Sequence, residues 1–178
     1  MFLSISILSI HLYFLTKPKS DFTIVESDFG FERSVTMKEK EYCRKFTELY
    51  NQYNGFYHNY AVTHGFSDTA FWILYLLCKE EKAYTQNDLA DELCIAKQTV
   101  NSAVAKLVKD DYVELIPRKG LRQGKYIALT ENGKIHCSES VLPLLNAEKK
   151  SIERLGDEEA LHLLKLFELR FQYLCEEV

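Results

Sequence analysis

Between positions 38 and 62 the residues Tyr42, Phe46, Leu49, Tyr50, Tyr53, Phe56, Tyr57 and Tyr60 return at steps of three and four. That spacing stacks side chains along one face of an α-helix, and an aromatic stripe of this kind is most simply a packing face. Gly65 and the pair Ser67-Asp68 interrupt the pattern, and 69–79 (TAFWILYLLCK) is then apolar almost all round, as in a helix buried on several sides. After a polar break, 84–93 reads as a short helix with Thr85 as its N-cap and Leu89, Ala90 and Leu93 facing inward. Cys94-Ile95 make a turn, and 96–109 is helical again. There Val100, Ala103, Val104 and Leu107 share one side while Lys97, Gln98, Asn101 and Ser102 share the other. Two short helices joined by a tight turn, the second with its polar groups crowded into its first turns, make a helix-turn-helix.

Beyond it, Asp110-Asp111 end the helix, and the period changes from helical to alternating over 112–116 and again over 125–129. The loop between these strands carries Arg118, Lys119 and Arg122, with Lys125 just after it, two glycines and no acid, so the hairpin has a positive tip: a wing. Thr130 caps a long helix over 131–155, which Pro143 should kink by removing a backbone donor and crowding the Glu139 carbonyl. Gly156 breaks the chain. Asp157-Glu158-Glu159 then sit at the positive end of a last helix with Leu161, Leu164, Phe167, Phe171 and Leu174 on its apolar face.

The predicted fold is therefore mainly α with a small β-hairpin wing (α+β), a winged helix-turn-helix between flanking dimerisation helices. The folded domain is expected over 37–178, with a DNA-reading part at 66–130 and dimerisation helices at 38–64 and 131–176. The outer helices have more apolar face than one small core uses, which a homodimer explains economically.

The first segment stands apart. Residues 1–16 (MFLSISILSIHLYFLT) are apolar but interrupted by Ser4, Ser6 and Ser9, and fall short of the roughly 20 residues that cross a bilayer. The cations Lys17 and Lys19 follow the apolar run instead of preceding it, unlike a secretory signal. Residues 17–36 sustain no period, and Met37 opens a charged helical start; 1–36 is thus expected to be an unfolded extension or a mis-assigned start. Composition adds that the 178-residue chain is 47% hydrophobic and 27% charged, as a folded protein should be. Five widely spaced cysteines without a C-x-x-C suggest free thiols, hence a cytoplasmic protein with no membrane partner.

Charge sharpens the picture. The whole chain carries −4, yet 96–125 holds Lys97, Lys106, Lys109, Arg118, Lys119, Arg122 and Lys125 against Asp110, Asp111 and Glu114, a local balance of +4. Gln98 and Asn101 each fix a donor and an acceptor on one amide, as bidentate pairing with adenine requires, and Lys97 can donate to guanine or phosphate. The cations should set affinity through counterion release while the amides set sequence preference. The candidate DNA-binding set is Thr85, Gln86, Ala96, Lys97, Gln98, Thr99, Asn101, Ser102, Lys106, Arg118, Lys119, Arg122 and Lys125.

The run from Gly65 to Gly133 resembles the MarR family of winged helix-turn-helix regulators. The matching pieces are Gly65-Phe66-Ser67-Asp68-Thr69-Ala70-Phe71, Thr85-Gln86-Asn87-Asp88-Leu89-Ala90, Lys97-Gln98-Thr99-Val100 and Leu129-Thr130-Glu131-Asn132-Gly133-Lys134, in that order; with the terminal helices the resemblance spans about 38–175. It departs in three places. Leu121 and Gln123 stand where many members carry an Asp-x-Arg in the wing, Ser102 stands where an Arg often follows Val-Ser, and Cys94 stands where a turn Gly is common.

The resemblance implies a DNA-binding transcriptional regulator, a repressor on a palindromic operator, released by a small ligand or an oxidant. Tyr57, Tyr60, His64, Trp72 and Tyr75 are candidates to line a pocket for a small aromatic effector, or are simply core. Cys43, flanked by Tyr42, Arg44 and Lys45, is the candidate redox residue, since nearby positive charge favours a thiolate. The scattered histidines and the adjacent His136-Cys137 give no metal-site spacing, and no cofactor is expected. The sequence lacks G-x-S-x-G, a phosphate-binding glycine loop and H-E-x-x-H, so it does not read as an enzyme. The alternative is a winged helix that binds a protein partner instead of DNA, which retention on heparin or DNA across salt would distinguish.

Overall fold

The computed structural model describes residues 39–79, 82–117 and 125–178. In chain order these are α1 (Glu39–Thr63), α2 (Asp68–Lys79), β1 (Tyr84–Thr85), α3 (Gln86–Leu93), α4 (Lys97–Lys109), β2 (Val113–Pro117), β3 (Lys125–Leu129), α5 (Glu131–Leu155) and α6 (Asp157–Glu176). The expectations for 1–36 and for the wing tip with Arg118, Lys119 and Arg122 lie outside the described residues. Among the described residues, no helix is long and apolar enough to cross a membrane.

The described chain divides into two units, 39–68 and 69–178. The first is α1 with the turn that follows it. Gly65 takes a positive φ of 82°, and the Phe66 N–H returns to the Ala61 carbonyl at 3.0 Å, closing the helix end. His58 Nδ1 meets Asp68 Oδ1 at 2.9 Å. Tyr57, Ala61 and Phe66 are buried, but Tyr42, Leu49, Tyr50, Tyr53 and Phe56 of the aromatic stripe are exposed.

The second unit is built on α2, which buries six of its twelve residues (Ala70, Phe71, Ile73, Leu74, Tyr75 and Leu76) as its all-round apolar sequence requires. Around it close Leu89 and Leu93 of α3, Val100, Val104 and Leu107 of α4, Val113 and Ile127 of the hairpin, and Cys137, Val141 and Leu144 of α5. The Tyr75 hydroxyl donates to Glu148 Oε2 at 2.6 Å, giving the polar end of a buried ring its partner on α5.

The hairpin is part of a three-stranded antiparallel sheet in the order β1-β3-β2. Val113 faces Leu129 and Pro117 faces Lys125 in the β2–β3 register, while Tyr84 faces Ile127 and Thr85 faces Tyr126 across β1–β3. Tyr112, expected to begin the first strand of the hairpin, belongs instead to the turn, where its N–H donates to the Leu107 carbonyl. Pro117 ends an edge strand, where its missing N–H costs no ladder bond. α5 is capped by Thr130, whose Oγ1 accepts from the Gly133 N–H at 2.9 Å, and it continues through Pro143 as one helix.

Candidate nucleic-acid interface

The two short helices are locked by their ends. Thr85 and Asp88 form a reciprocal capping box at the start of α3: Thr85 Oγ1 accepts from the Asp88 N–H at 3.2 Å, and Asp88 Oδ2 accepts from the Thr85 N–H at 2.8 Å. At the other end Cys94 adopts left-handed geometry (φ 52°, ψ 39°), and the Ile95 N–H returns to the Ala90 carbonyl at 3.1 Å. This explains why a glycine is the easier residue at this turn: the conformation is unhindered only without a Cβ.

α4 follows with its faces divided as the sequence predicts. Val100, Val104 and Leu107 are buried, whereas Lys97, Gln98, Thr99, Asn101, Ser102, Lys106 and Lys109 are exposed. The helix contains no acid. Among the described residues, Lys97, Lys106, Lys109 and Lys125 enter no ion pair, and the Gln98 and Asn101 amides accept or donate no hydrogen bond within the chain. Ser102 is different: its hydroxyl donates to the Gln98 carbonyl at 2.9 Å, so the donor is used inside the helix and only acceptor capacity faces outward. Ala96 gives α4 no side-chain cap, which leaves the positive end of the helix open to an anion.

Of the other candidates, Thr85 is half-buried with its oxygen committed to the capping box, and Gln86 beside it is half-buried at the first position of α3. Lys125 is exposed at the base of the wing. One exposed polar residue adjoins this set without having been singled out from the sequence, Asn87 in the first turn of α3; Lys109, counted in the local positive balance but not in the candidate set, is exposed at the end of α4. The sequence signal for Asn87 was the capping box itself, which fixes the first turn of α3 and hence which residues project from it.

A clamp joins the recognition helix to the wing. Thr130 Oγ1 donates to the Asp111 carbonyl at 2.6 Å, Asn132 Nδ2 donates to the same carbonyl at 3.3 Å, and the Thr130 N–H donates to the Tyr112 carbonyl at 3.1 Å. Gly133 completes it by close approach, for a Cβ there would lie 1.9 Å from the Tyr112 carbonyl oxygen. The segment Leu129-Thr130-Glu131-Asn132-Gly133 thus ties the exit of β3 to the turn that ends α4, which fixes the pose of helix and wing together.

The effector candidates fall in both units. Tyr57, Tyr60 and His64 belong to the first, where the Tyr57 and Tyr53 hydroxyls lie 2.9 Å apart and His64 Nδ1 meets the Tyr60 carbonyl at 2.8 Å. Burial pushes the Tyr60 phenol above its ordinary range. Trp72 and Tyr75 belong to the second, packed edge-to-face with centroids 5.1 Å apart; Trp72 is half-buried and Tyr75 fully so. Cys43 is exposed on α1, and both cations beside it in sequence, Arg44 and Lys45, are held by Glu48. Among the described residues, no group of three or more His, Cys, Asp or Glu side chains is arranged to hold a metal.

Residues 64–123, the stretch from the turn before α2 through the wing loop, match the sequence model of the MarR family. No curated protein matches the chain by sequence. Among solved structures the fold is similar to that of AbsC, a MarR family transcriptional regulator from Streptomyces coelicolor, at 20% identity and a TM-score of 0.65 over 82% of this chain and 99% of that one. It is likewise similar to Sco3205 from the same organism, a MarR family transcriptional regulator crystallised in complex with DNA, at 18% identity and a TM-score of 0.63 over 82% and 93% of the two chains. A third is Staphylococcus aureus MarR in complex with salicylate and kanamycin, at 15% identity and a TM-score of 0.59 over 78% and 93%. The match runs from the turn before α2 through the wing loop, and the fold around it is similar to that of MarR family transcriptional regulators.

Proposed function

We propose that this protein is a repressor that binds a palindromic operator as a homodimer, with α4 in the major groove and the wing along the backbone. One observation carries the reading: α4 presents Lys97, Gln98, Asn101 and Lys106 together on an exposed, acid-free face whose opposite side is buried. Amides that no group among the described residues engages are available to base edges, and cations that no described carboxylate neutralises are available to phosphates. The DNA-bound Sco3205 structure supports the same use of the fold. In a two-fold dimer the paired α4 helices enter successive major grooves about 34 Å apart, which makes the operator palindromic. The exposed apolar residues Leu163, Leu166 and Tyr173 of α6 supply surface for the second copy. Release by a small aromatic ligand is supported by the salicylate complex of S. aureus MarR.

The test is selection from a random duplex library, followed by anisotropy titrations of the selected duplex across a salt series. Affinity should fall steeply with salt, and Lys106→Ala should flatten that slope by about one and weaken all sequences alike. Gln98→Ala should instead cost about 1–3 kcal/mol at one base pair of each half-site and relax selectivity there. Failure to enrich any duplex, or retention indifferent to salt, would overturn the reading. Salicylate added to the complex should lower its affinity.

A further inference from the structure

The exposed residues of α4 do not all offer a base the same hydrogen-bonding groups. Successive residues turn by about 100° around a helix axis, so Ser102 lies roughly opposite Val100, Val104 and Leu107, which are all buried. Gln98, one turn earlier, shares that crest, Ala105 and Lys106 follow on either side of it, and all of these are exposed. A helix laid in the major groove brings its crest nearest the base edges. A side chain as short as serine can reach a base only from there, and that is where Ser102 stands. It is also a position at which the chain departs from the family pattern, so what it reads is a property of this sequence.

The helix restricts what Ser102 can read. A serine hydroxyl has one hydrogen to donate and two lone pairs with which to accept, and in general it can pair with any base in the major groove. The hydrogen of Ser102 is already used, because the hydroxyl donates to the Gln98 carbonyl at 2.9 Å. Its lone pairs remain for the groove. Guanine presents O6 and N7 there and thymine presents O4, all of them acceptors, whereas adenine and cytosine each present an exocyclic amino donor. We propose that Ser102 is a specificity-determining residue of α4 that accepts from the amino group of an adenine or a cytosine in each half-site and selects against guanine and thymine at that base. The assignment rests on α4 entering the major groove, and it differs from the roles of Gln98 and Asn101, whose amides both donate and accept. The hydroxyl can donate to a keto oxygen only by giving up the Gln98 carbonyl, so the discrimination amounts to about one neutral hydrogen bond, near fivefold in affinity.

The experiment uses the full chain and the duplex that it enriches from a random library. The selection is repeated with Ser102→Ala, which replaces an exposed helical residue by the best helix former, and the two base profiles are compared. One position in each half-site should lose its preference, and there the parent protein should favour adenine or cytosine over guanine or thymine by about fivefold. The amino group is then removed from that base alone, with purine in place of adenine or 2-pyrimidinone in place of cytosine. The parent protein should bind the altered duplex about fivefold more weakly, while Ser102→Ala should bind both duplexes alike. Identical profiles for the two proteins, a preference for guanine or thymine at the affected position, or equal weakening of both proteins by the altered base would each overturn this assignment and leave the operator reading intact. Enrichment of no duplex by the parent protein would overturn both.

Discussion

α2 and α6 are both helices with abundant apolar residues, yet α2 buries half of its residues and α6 buries none of its twenty. On α6, Leu164, Phe167 and Phe171 are half-covered, while Leu161, Leu163, Leu166, Tyr173 and Leu174 are exposed. Periodicity reports that a face is apolar; it does not report that the same chain covers it. The winged centre around α2 closes its own core. The last helix has the sequence of a packed element and the exposure of an unfinished one, which is the physical argument for a second copy.

The largest effect should come from breaking the centre at its tightest point. In Gly133→Ala the new Cβ meets the Tyr112 carbonyl oxygen at 1.9 Å, and backbone on both sides gives it no side chain to displace. The start of α5 must lift from the turn after α4, straining the Thr130 clamp. The expected cost is about 3 kcal/mol, which lowers Tm by roughly 10 °C in a domain of this size. A thermal melt matching that of the parent protein would show that the centre is looser than its geometry implies.

The outer region should respond differently. Leu163→Ala and Leu166→Ala remove side chains that are exposed in the single chain, so neither opens a cavity there. If a second copy covers them, each substitution should weaken self-association by about 1–2 kcal/mol, near tenfold, in sedimentation equilibrium. Far-UV circular dichroism at concentrations that keep the protein associated should stay the same. Unchanged association would remove α6 from the interface and leave its apolar face without an explanation.

The same contrast says what the sequence could and could not reveal. The α2 core, the inner faces of α3 and α4, the hairpin and the Thr85 and Thr130 caps are legible because each is a local pattern: a period, a capping residue or a change of period. β1 is not, since two residues are too few to alternate and its pairing with Ile127 and Tyr126 is a long-range fact. The exposure of Tyr42, Leu49, Tyr50, Tyr53 and Phe56 is equally illegible, because the same stripe would serve a core. For the interface, the division of α4 into Val100, Val104 and Leu107 against Lys97, Gln98 and Asn101 follows from spacing alone. That the Ser102 hydroxyl is used by the Gln98 carbonyl does not.

The smallest effect tests how tightly the centre holds its own strain. Cys94 sits at φ 52°, where a side chain costs roughly 1–2 kcal/mol, and it stays there because Leu89 and Leu93 before it and Val100 after it are buried and leave the turn no alternative. Cys94→Gly removes that penalty but loosens the unfolded chain, which takes back about 0.5–1 kcal/mol, so the net gain should be about 0.5 kcal/mol. The urea midpoint should rise slightly with no change in slope. Cys94→Ala is the control, since it loses the sulfur but keeps the Cβ, and it should give no such gain. Equal gains from both variants would trace the effect to the thiol, whose sulfur approaches the Asp91 carbonyl at 3.5 Å, and not to the backbone. A gain confined to glycine would mean that the packing of the centre is strong enough to hold a left-handed cysteine in place, a demand that the exposed face of α6 could not meet within one chain.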